Sequence, residues 1–258
     1  MKLQEKIIKK SADLFQAYVY PLLNKKRNVK CPCCGWTGPG FLHHGLEKRP
    51  NSRCPKCDSL ERFRLYYLYL KKTLPANKPI RVLHFAPEKI ISKVFKSYPN
   101  VDYLSVDINP AKAMQQEDIT NLSFADHSFD LVFCSHVLEH IPDDRKAMRE
   151  IKRVLKPDGL ALLLVPIMDS YKGKKIEKTY EDFSITDPKQ REMAFGQHDH
   201  VRIYARDFKE RLEEAGFNVT IDKFVESLSP QNVERYALMP KNSFANETDG
   251  WIYCCRRS

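Results

Sequence analysis

The stretch DITNLSFADHSFDLVFCSHVLEHIPDDRKAMREIKRVLKPDGLALLLVP, residues 118–166, decides the fold. An apolar run at 131–135 is followed by a helical pattern at 144–155 and a second apolar run at 160–166. Ala147, Ile151, Val154 and Leu155 recur on one helical face, giving the helix an apolar stripe to bury. Lys156-Pro157-Asp158-Gly159 predicts the stop, because proline cannot continue a helix and glycine supplies the turn into the next strand. Strand, amphipathic helix, strand is the unit of a parallel sheet covered by helices.

Working outward, the same alternation starts near Ile80. It predicts further strands at 81–85, 102–107, 218–224 and 250–255, and further helices at 89–97 and 205–215. The fold class is therefore α/β, a doubly wound, mostly parallel sheet occupying residues 79–258. The segment 167–200 breaks the alternation, is rich in Lys, Asp and Glu, and reads as an insertion over the open end of the sheet. No internal repeat or low-complexity tract is present.

Upstream lie three smaller segments. Residues 1–28 read as an amphipathic helix (Leu3, Ile7, Ile8, Leu14, Phe15, Tyr18) that docks on the body. Residues 29–60 hold Cys31-Pro32-Cys33-Cys34-Gly35 and Cys54-Pro55-Lys56-Cys57, two C-P-x-C turns. A two-residue spacer lets both sulfurs of a turn reach one ion, and two such turns supply the four soft ligands of tetrahedral zinc. Cys31, Cys34, Cys54 and Cys57 are the candidate metal ligands, with Cys33 a spare and His43 or His44 a substitute. Four protein ligands leave no open position, so the expected zinc is structural, stapling a small core of Trp36, Phe41 and Leu42. Cys134, Cys254 and Cys255 fall in strands, and Cys134 and one of the last two read as buried, inert thiols. Residues 61–78 read as a connecting helix that ends near Leu74-Pro75.

The bulk numbers exclude some classes. No run of eighteen apolar residues exists, so no membrane span is expected. The N-terminus lacks the pattern of a cleaved signal, and paired cysteines without export favour metal over disulfides and a cytoplasmic protein. The formal charge of +10 suits a polyanionic partner such as RNA or an acidic glycan. The basic residues are nevertheless scattered in short groups (Lys9-Lys10, Lys25-Lys26-Arg27, Lys71-Lys72, Lys174-Lys175, Arg256-Arg257), which equally describes a solvated surface.

In an open α/β sheet, ligands bind beyond the carboxyl ends of the strands. Those ends read His84-Phe85-Ala86-Pro87-Glu88, then Asp107-Ile108-Asn109, then Ser135-His136-Val137-Leu138-Glu139-His140, with Asp118-Ile119 in between. An acid ending the second strand can accept both hydroxyls of a ribose with charge assistance. These residues, with the segment 118–166, closely resemble the class I S-adenosylmethionine-dependent methyltransferases, in particular the branch called type 11. The resemblance covers roughly residues 80–255 and implies seven strands with an antiparallel last one, at 250–255 here. It implies that Asp107 binds ribose, that Asp118 and Ile119 flank adenine, and that Ser135 and His136 line the methionine end. His84, Phe85, Ala86, Glu88 and Ile108 complete the cofactor set.

One departure stands out. The family usually has a glycine-rich first loop preceded by an acid, whereas this chain reads VLHFAPE, with His84 at the acidic position and Ala86 and Pro87 in place of glycines. S-adenosylmethionine has no pyrophosphate to cradle, so glycine is less needed than in dinucleotide enzymes. The LHFAPE form also occurs within this group, beside sequences like GQHDHVRIYARDF. Dinucleotide binding would call for G-x-G-x-x-G, and none is present.

A sulfonium methyl is already activated, so the protein chiefly aligns the reactants. A base is needed only when the acceptor atom carries a proton. The candidate catalytic residues are His136, His198, His200 and Tyr204, with His140 reading more as a packing or capping residue. The cluster His198-Asp199-His200 with Arg202 and Tyr204 suggests a lid over substrate or cofactor, and H-x-H by itself is only a weak metal motif. Three functions follow. The first is methyl transfer to an oxygen or nitrogen of a small polar or saccharide acceptor. The others are methylation of RNA, including ribosomal RNA, with the zinc ribbon aiding recognition, and a non-catalytic zinc-stapled binding protein. Nothing in the pattern sets an oligomeric state.

Overall fold

The structure is a computed structural model that describes residues 11, 14–19, 27–45, 48–171, 173–239 and 250–257. The chain divides into two units, Met1–Leu74 with Lys223–Gly250, and Pro75–Asp222 with Trp251–Ser258. No helix among the described residues is long and apolar enough to cross a membrane.

The first unit is built from two short antiparallel hairpins, β1 (Val29–Lys30) with β2 (Thr37–Gly38), and β3 (Leu42–His44) with β4 (Arg49–Arg53). The helices Glu61–Thr73 and Pro230–Tyr236 belong to it. The helix read as a connector over 61–78 is thus part of this unit, and residues 223–250, assigned to the sheet domain from the sequence, also belong here. The physical reason is Arg64, which is fully buried. Its guanidinium donates to the carbonyls of Ser52 and Ser59 at 2.8 Å each, of Tyr236 at 2.7 Å and of Ala237 at 2.6 Å. A buried charge must have its donors satisfied, and these carbonyls come from segments more than 170 residues apart. In the leader, Leu3, Ile7 and Ile8 lie outside the described residues. Phe15–Val19 forms a π-helical turn whose Ala17 carbonyl accepts the Trp36 indole N–H at 2.8 Å. Leu14, Phe15 and Tyr18, expected on a docking face, are instead exposed.

The second unit holds a seven-stranded sheet in the order β14-β15-β9-β8-β5-β6-β7. These strands are β5 (Ile80–Phe85), β6 (Val101–Asp107), β7 (Gln115–Gln116), β8 (Phe129–Ser135), β9 (Leu155–Leu164), β14 (Phe217–Asp222) and β15 (Ile252–Arg257). β15 runs antiparallel to both neighbours and the strands from β9 to β7 are parallel. The central strands read as near-continuous apolar runs because both their faces are covered. Helix Lys89–Lys96 buries Ile90, Ile91, Val94 and Phe95, and helix Asp144–Val154 buries Ala147, Met148, Ile151 and Val154. From β5 the chain steps outward through β6 to β7, then returns to β8 on the other side of β5. That reversal creates a crevice at the carboxyl ends of β5, β6 and β8.

Several boundaries differ from the sequence expectation, among them the helix expected at 205–215, which is Phe208–Glu214, and the strand expected at 131–135, which is Phe129–Ser135. The stop at 156–159 is not a turn: the helix ends at Val154 and β9 begins at Leu155, with a register shift where Phe129 pairs with Leu155 and Leu131 with Leu160. Gly159 is needed for space, since a Cβ there would lie 2.8 Å from the Leu155 side chain. The last two strands are shifted to Phe217–Asp222 and Ile252–Arg257. β7, with two residues, is too short to leave a pattern.

The insertion leaves the sheet at the carboxyl end of β9. It contains β10 (Ser170–Tyr171) paired with β11 (Lys174–Lys175), β12 (Tyr180–Glu181) and the helix Pro188–Phe195, and β12 pairs with β13 (Arg202–Ile203) just past its end. Asp187 caps that helix by accepting from the backbone N–H groups of Lys189 and Gln190.

Candidate functional site

The four paired cysteines come together. Sγ of Cys31 and Cys57 are 3.6 Å apart, Sγ of Cys34 and Cys54 are 3.7 Å apart, and all four lie within 4.8 Å of one another. Zinc–thiolate bonds of about 2.3 Å in a tetrahedron imply sulfur–sulfur edges of about 3.8 Å, so these residues fit the ion. The two turns are built alike. The N–H of Gly35 donates to the Cys31 carbonyl at 2.9 Å, and the N–H of Asp58 donates to the Cys54 carbonyl at 3.0 Å. Both Gly35 and Asp58 sit in the left-handed region, with φ of 73° and 61°. Ser59 Oγ lies 3.2 Å from Cys31 Sγ and 3.3 Å from Cys57 Sγ, placed to orient the thiolates. Cys33, His43 and His44 are outside this group.

At the carboxyl edge of the sheet, β6 ends on Asp107, whose Oδ1 accepts from the Asn109 N–H at 2.8 Å. Ile108 beside it is exposed, while Ile119 is buried. Asp118 is exposed and its Oδ1 accepts from the N–H and Oγ of Thr120 at 2.8 Å each. Ser135 ends β8 nearly fully buried, and its Oγ has no hydrogen-bond partner among the described residues. In the loop after β5, Ala86 has φ of 44° and its N–H donates to the Val106 carbonyl at 2.9 Å. The glycine-free loop therefore keeps a backbone conformation that favours glycine, at a cost of about 1–2 kcal/mol. A left-handed loop, an acid at the next strand end and an orphaned hydroxyl at the third fit a nucleoside-bearing ligand. His84, placed among the cofactor residues by its motif position, is instead fully buried, as is most of Phe85. His84 Nε2 is 2.8 Å from Glu88 Oε2 and its Nδ1 is 3.0 Å from the Tyr103 hydroxyl, so the imidazole braces the loop from below.

The catalytic candidates separate. His136, also left-handed with φ of 55°, is partly exposed, and its Nδ1 lies 3.2 Å from Oε1 of Glu139. Glu139 is buried; burial would raise its pKa, but the His136 hydrogen bond and charge outweigh this and hold it below the usual range. His200 is buried beside His140, with ring centroids 4.7 Å apart, and burial lowers its pKa. His198 is exposed and lies outside this group. Tyr204 is corrected most clearly: it has no exposed surface and its hydroxyl donates to Asp144 Oδ2 at 2.7 Å. Burial pushes its pKa well above the ordinary value. The polar cluster read as a lid includes a buried clasp. Arg202 donates to the carbonyls of Leu138 at 2.8 Å, Ile141 at 2.5 Å and Pro142 at 2.8 Å. Arg211 donates to Asp144 at 3.0–3.1 Å and to Glu181 at 3.0 Å. Sequence reading did not single out Tyr103, which meets His84, Asp144 and Arg211, which meet each other below Tyr204, or the pairing of Glu139 with His136. Glu139 alone left a signal, an acid three residues after His136 in an otherwise apolar turn.

Residues 90–163 match the Methyltransferase domain family (Methyltransf_11). The match takes in less than a third of the chain, and over it the chain is similar to a methyltransferase domain. It is 41% identical over 63 residues to the uncharacterized methyltransferase YcgJ of Bacillus subtilis, covering 22% of this chain and 25% of that protein. It is 29% identical over 127 residues to the ubiquinone/menaquinone biosynthesis C-methyltransferase UbiE of Vibrio campbellii, covering 48% of this chain and 46% of that protein. The chain thus spans less than half the length of these curated relatives. A chain in the complex between the Haloferax volcanii Trm112 methyltransferase activator and a methyltransferase superposes on this chain with a TM-score of 0.50. It is 16% identical and covers 76% of this chain and 90% of that one, a likeness of fold.

Proposed function

We propose that this protein transfers a methyl group from S-adenosylmethionine to an oxygen or nitrogen of a small polar or saccharide acceptor. The observation that carries this reading is the placement of Asp107, Ser135 and His136 at the carboxyl ends of β6 and β8, on either side of the left-handed loop that ends β5. The cofactor supplies a methyl carbon already activated by its sulfonium. Asp107 takes the ribose hydroxyls, Asp118 and Ile119 flank the adenine, and Ser135 Oγ gains the partner it lacks. His136 is the general base. Glu139 holds its Nδ1 and leaves Nε2 for the proton of an acceptor hydroxyl or amine, a role worth about 10²–10⁴-fold in rate. Tyr204 is a positioning residue acting through Asp144. The four cysteines hold a structural zinc with no open position.

RNA methylation is the second reading, favoured by the net charge of +10. Calorimetric titration of the zinc-loaded protein with S-adenosylmethionine and S-adenosylhomocysteine tests the proposal. The expected result is binding that Asp107→Ala weakens by about 100-fold, the loss of two charge-assisted hydrogen bonds. No binding by the intact protein would overturn the proposal and leave a zinc-stapled binding protein. For acceptors, affinity for RNA that falls steeply with salt would favour the second reading.

A further inference from the structure

Glu139 makes an unusual demand on its surroundings. The residue is 1% exposed, and while Oε1 is held by His136, Oε2 has no hydrogen-bond partner among the described residues. A buried carboxylate oxygen left alone is costly, and an ordered water or ion is the usual explanation. One nitrogen from each of His140 and His200, with a carboxylate oxygen of Glu139, forms a set whose atoms all lie within 4.8 Å of one another.

We propose that Glu139, His140 and His200 form a second metal site, for a divalent first-row transition ion, beside the methyl-transfer crevice. Two imidazoles and one carboxylate suit zinc, manganese, iron, cobalt or nickel better than magnesium or calcium. Three protein ligands leave positions open, in contrast to the closed four-thiolate site. His140 Nδ1 lies 3.3 Å from the Asp199 carbonyl and 3.4 Å from Asp199 Oδ2, an anchoring of one nitrogen that leaves the other for the ion. The ligands come from two segments that are fixed together without metal. The Val201 N–H donates to the Glu139 carbonyl at 3.0 Å, and Arg202 binds the carbonyls on both sides of His140. The site is therefore pre-organised, and the histidine that follows Asp199, rather than the His198-Asp199-His200 triplet as a unit, supplies the ligand. An ion here gives the acceptor an electrophilic anchor next to His136.

The test uses the full chain with its cysteine site loaded with zinc, titrated with cobalt(II) in the absence of S-adenosylmethionine. The expected result is a visible d–d absorption that saturates at one cobalt per chain, without thiolate-to-cobalt charge transfer. Glu139→Gln and His200→Ala should each weaken binding at least tenfold while zinc content stays unchanged. His140→Ala, at a half-buried position, serves if either variant fails to fold. Absence of the band, a band with thiolate character, or a band unaffected by these substitutions would overturn the proposal. Cofactor binding is read separately, so either idea can fail without the other.

Discussion

The cysteine turns and the carboxyl edge of the sheet both place left-handed residues next to ligand-bearing side chains, but they are assembled in opposite ways. In the turns, Gly35 and Asp58 each directly follow the second cysteine of a pair, and each turn closes through two backbone hydrogen bonds, Gly35 N–H to Cys31 and Cys31 N–H to Trp36 in one, Asp58 N–H to Cys54 and Cys54 N–H to Ser59 in the other. At the sheet edge, Ala86 and His136 hold comparable backbone angles with no glycine to ease them. Their conformation is imposed by strands that end there and by a clasp drawn from residues 138–211. A turn written in five consecutive residues brings its sulfurs together by spacing alone. A site written across a sheet needs a core before it becomes a site.

A zinc ion held by the four cysteines, as proposed, would make the first region depend on its metal. Cys54→Ser, or a strong chelator, should unfold residues 29–60, because structural zinc contributes on the order of 10 kcal/mol to such small units. Hydrogen exchange is the measurement: amides of β1–β4 should exchange at near-unfolded rates while those of β5, β8 and β9 keep their protection. Retained protection in β1–β4 would mean that Arg64 and its carbonyls suffice.

In the second region the corresponding staple is Asp144, which is 2% exposed and serves Tyr204 and Arg211 together. Asp144→Ala should cost about 3–5 kcal/mol, since it strands a buried guanidinium. Denaturant unfolding followed on the sheet unit measures this, and a loss below 1 kcal/mol would show that Glu181 alone satisfies Arg211.

The smallest effect concerns the loop after β5. Ala86→Gly removes a left-handed penalty of about 1–2 kcal/mol and adds back about 0.5–1 kcal/mol of glycine entropy. The variant should be more stable by about 0.5–1 kcal/mol, read as a raised melting temperature. Destabilisation would mean that the Ala86 methyl packs against something the loop needs.

Legibility followed the same division. The cysteine cluster was readable because a C-P-x-C turn is local and the meeting of its sulfurs depends on spacing. The positions of Asp107 and Ser135 at strand ends were readable, since alternation of runs and helices locates those ends, and Asp118 follows in the loop after β7. The partners of Asp144, and the meeting of Glu139 with His200, were not readable, because nothing in a single buried acid says which distant base or histidine will meet it. Tyr204 was misread for the same reason. Beside His198 and His200 it looked like part of a polar loop, yet pairing of β12 with β13 carries this segment inward and buries the phenol.

The sequence by itself determined the α/β class, the order of its main elements and the two cysteine turns, all of which depend on periodicity or spacing along the chain. Only the tertiary structure decided that residues 223–250 complete the cysteine unit, that His84 braces a loop, and that Glu139 meets His140 and His200. Those outcomes depend on satisfying buried charges with groups far away in sequence, and burial is a property of the packed chain.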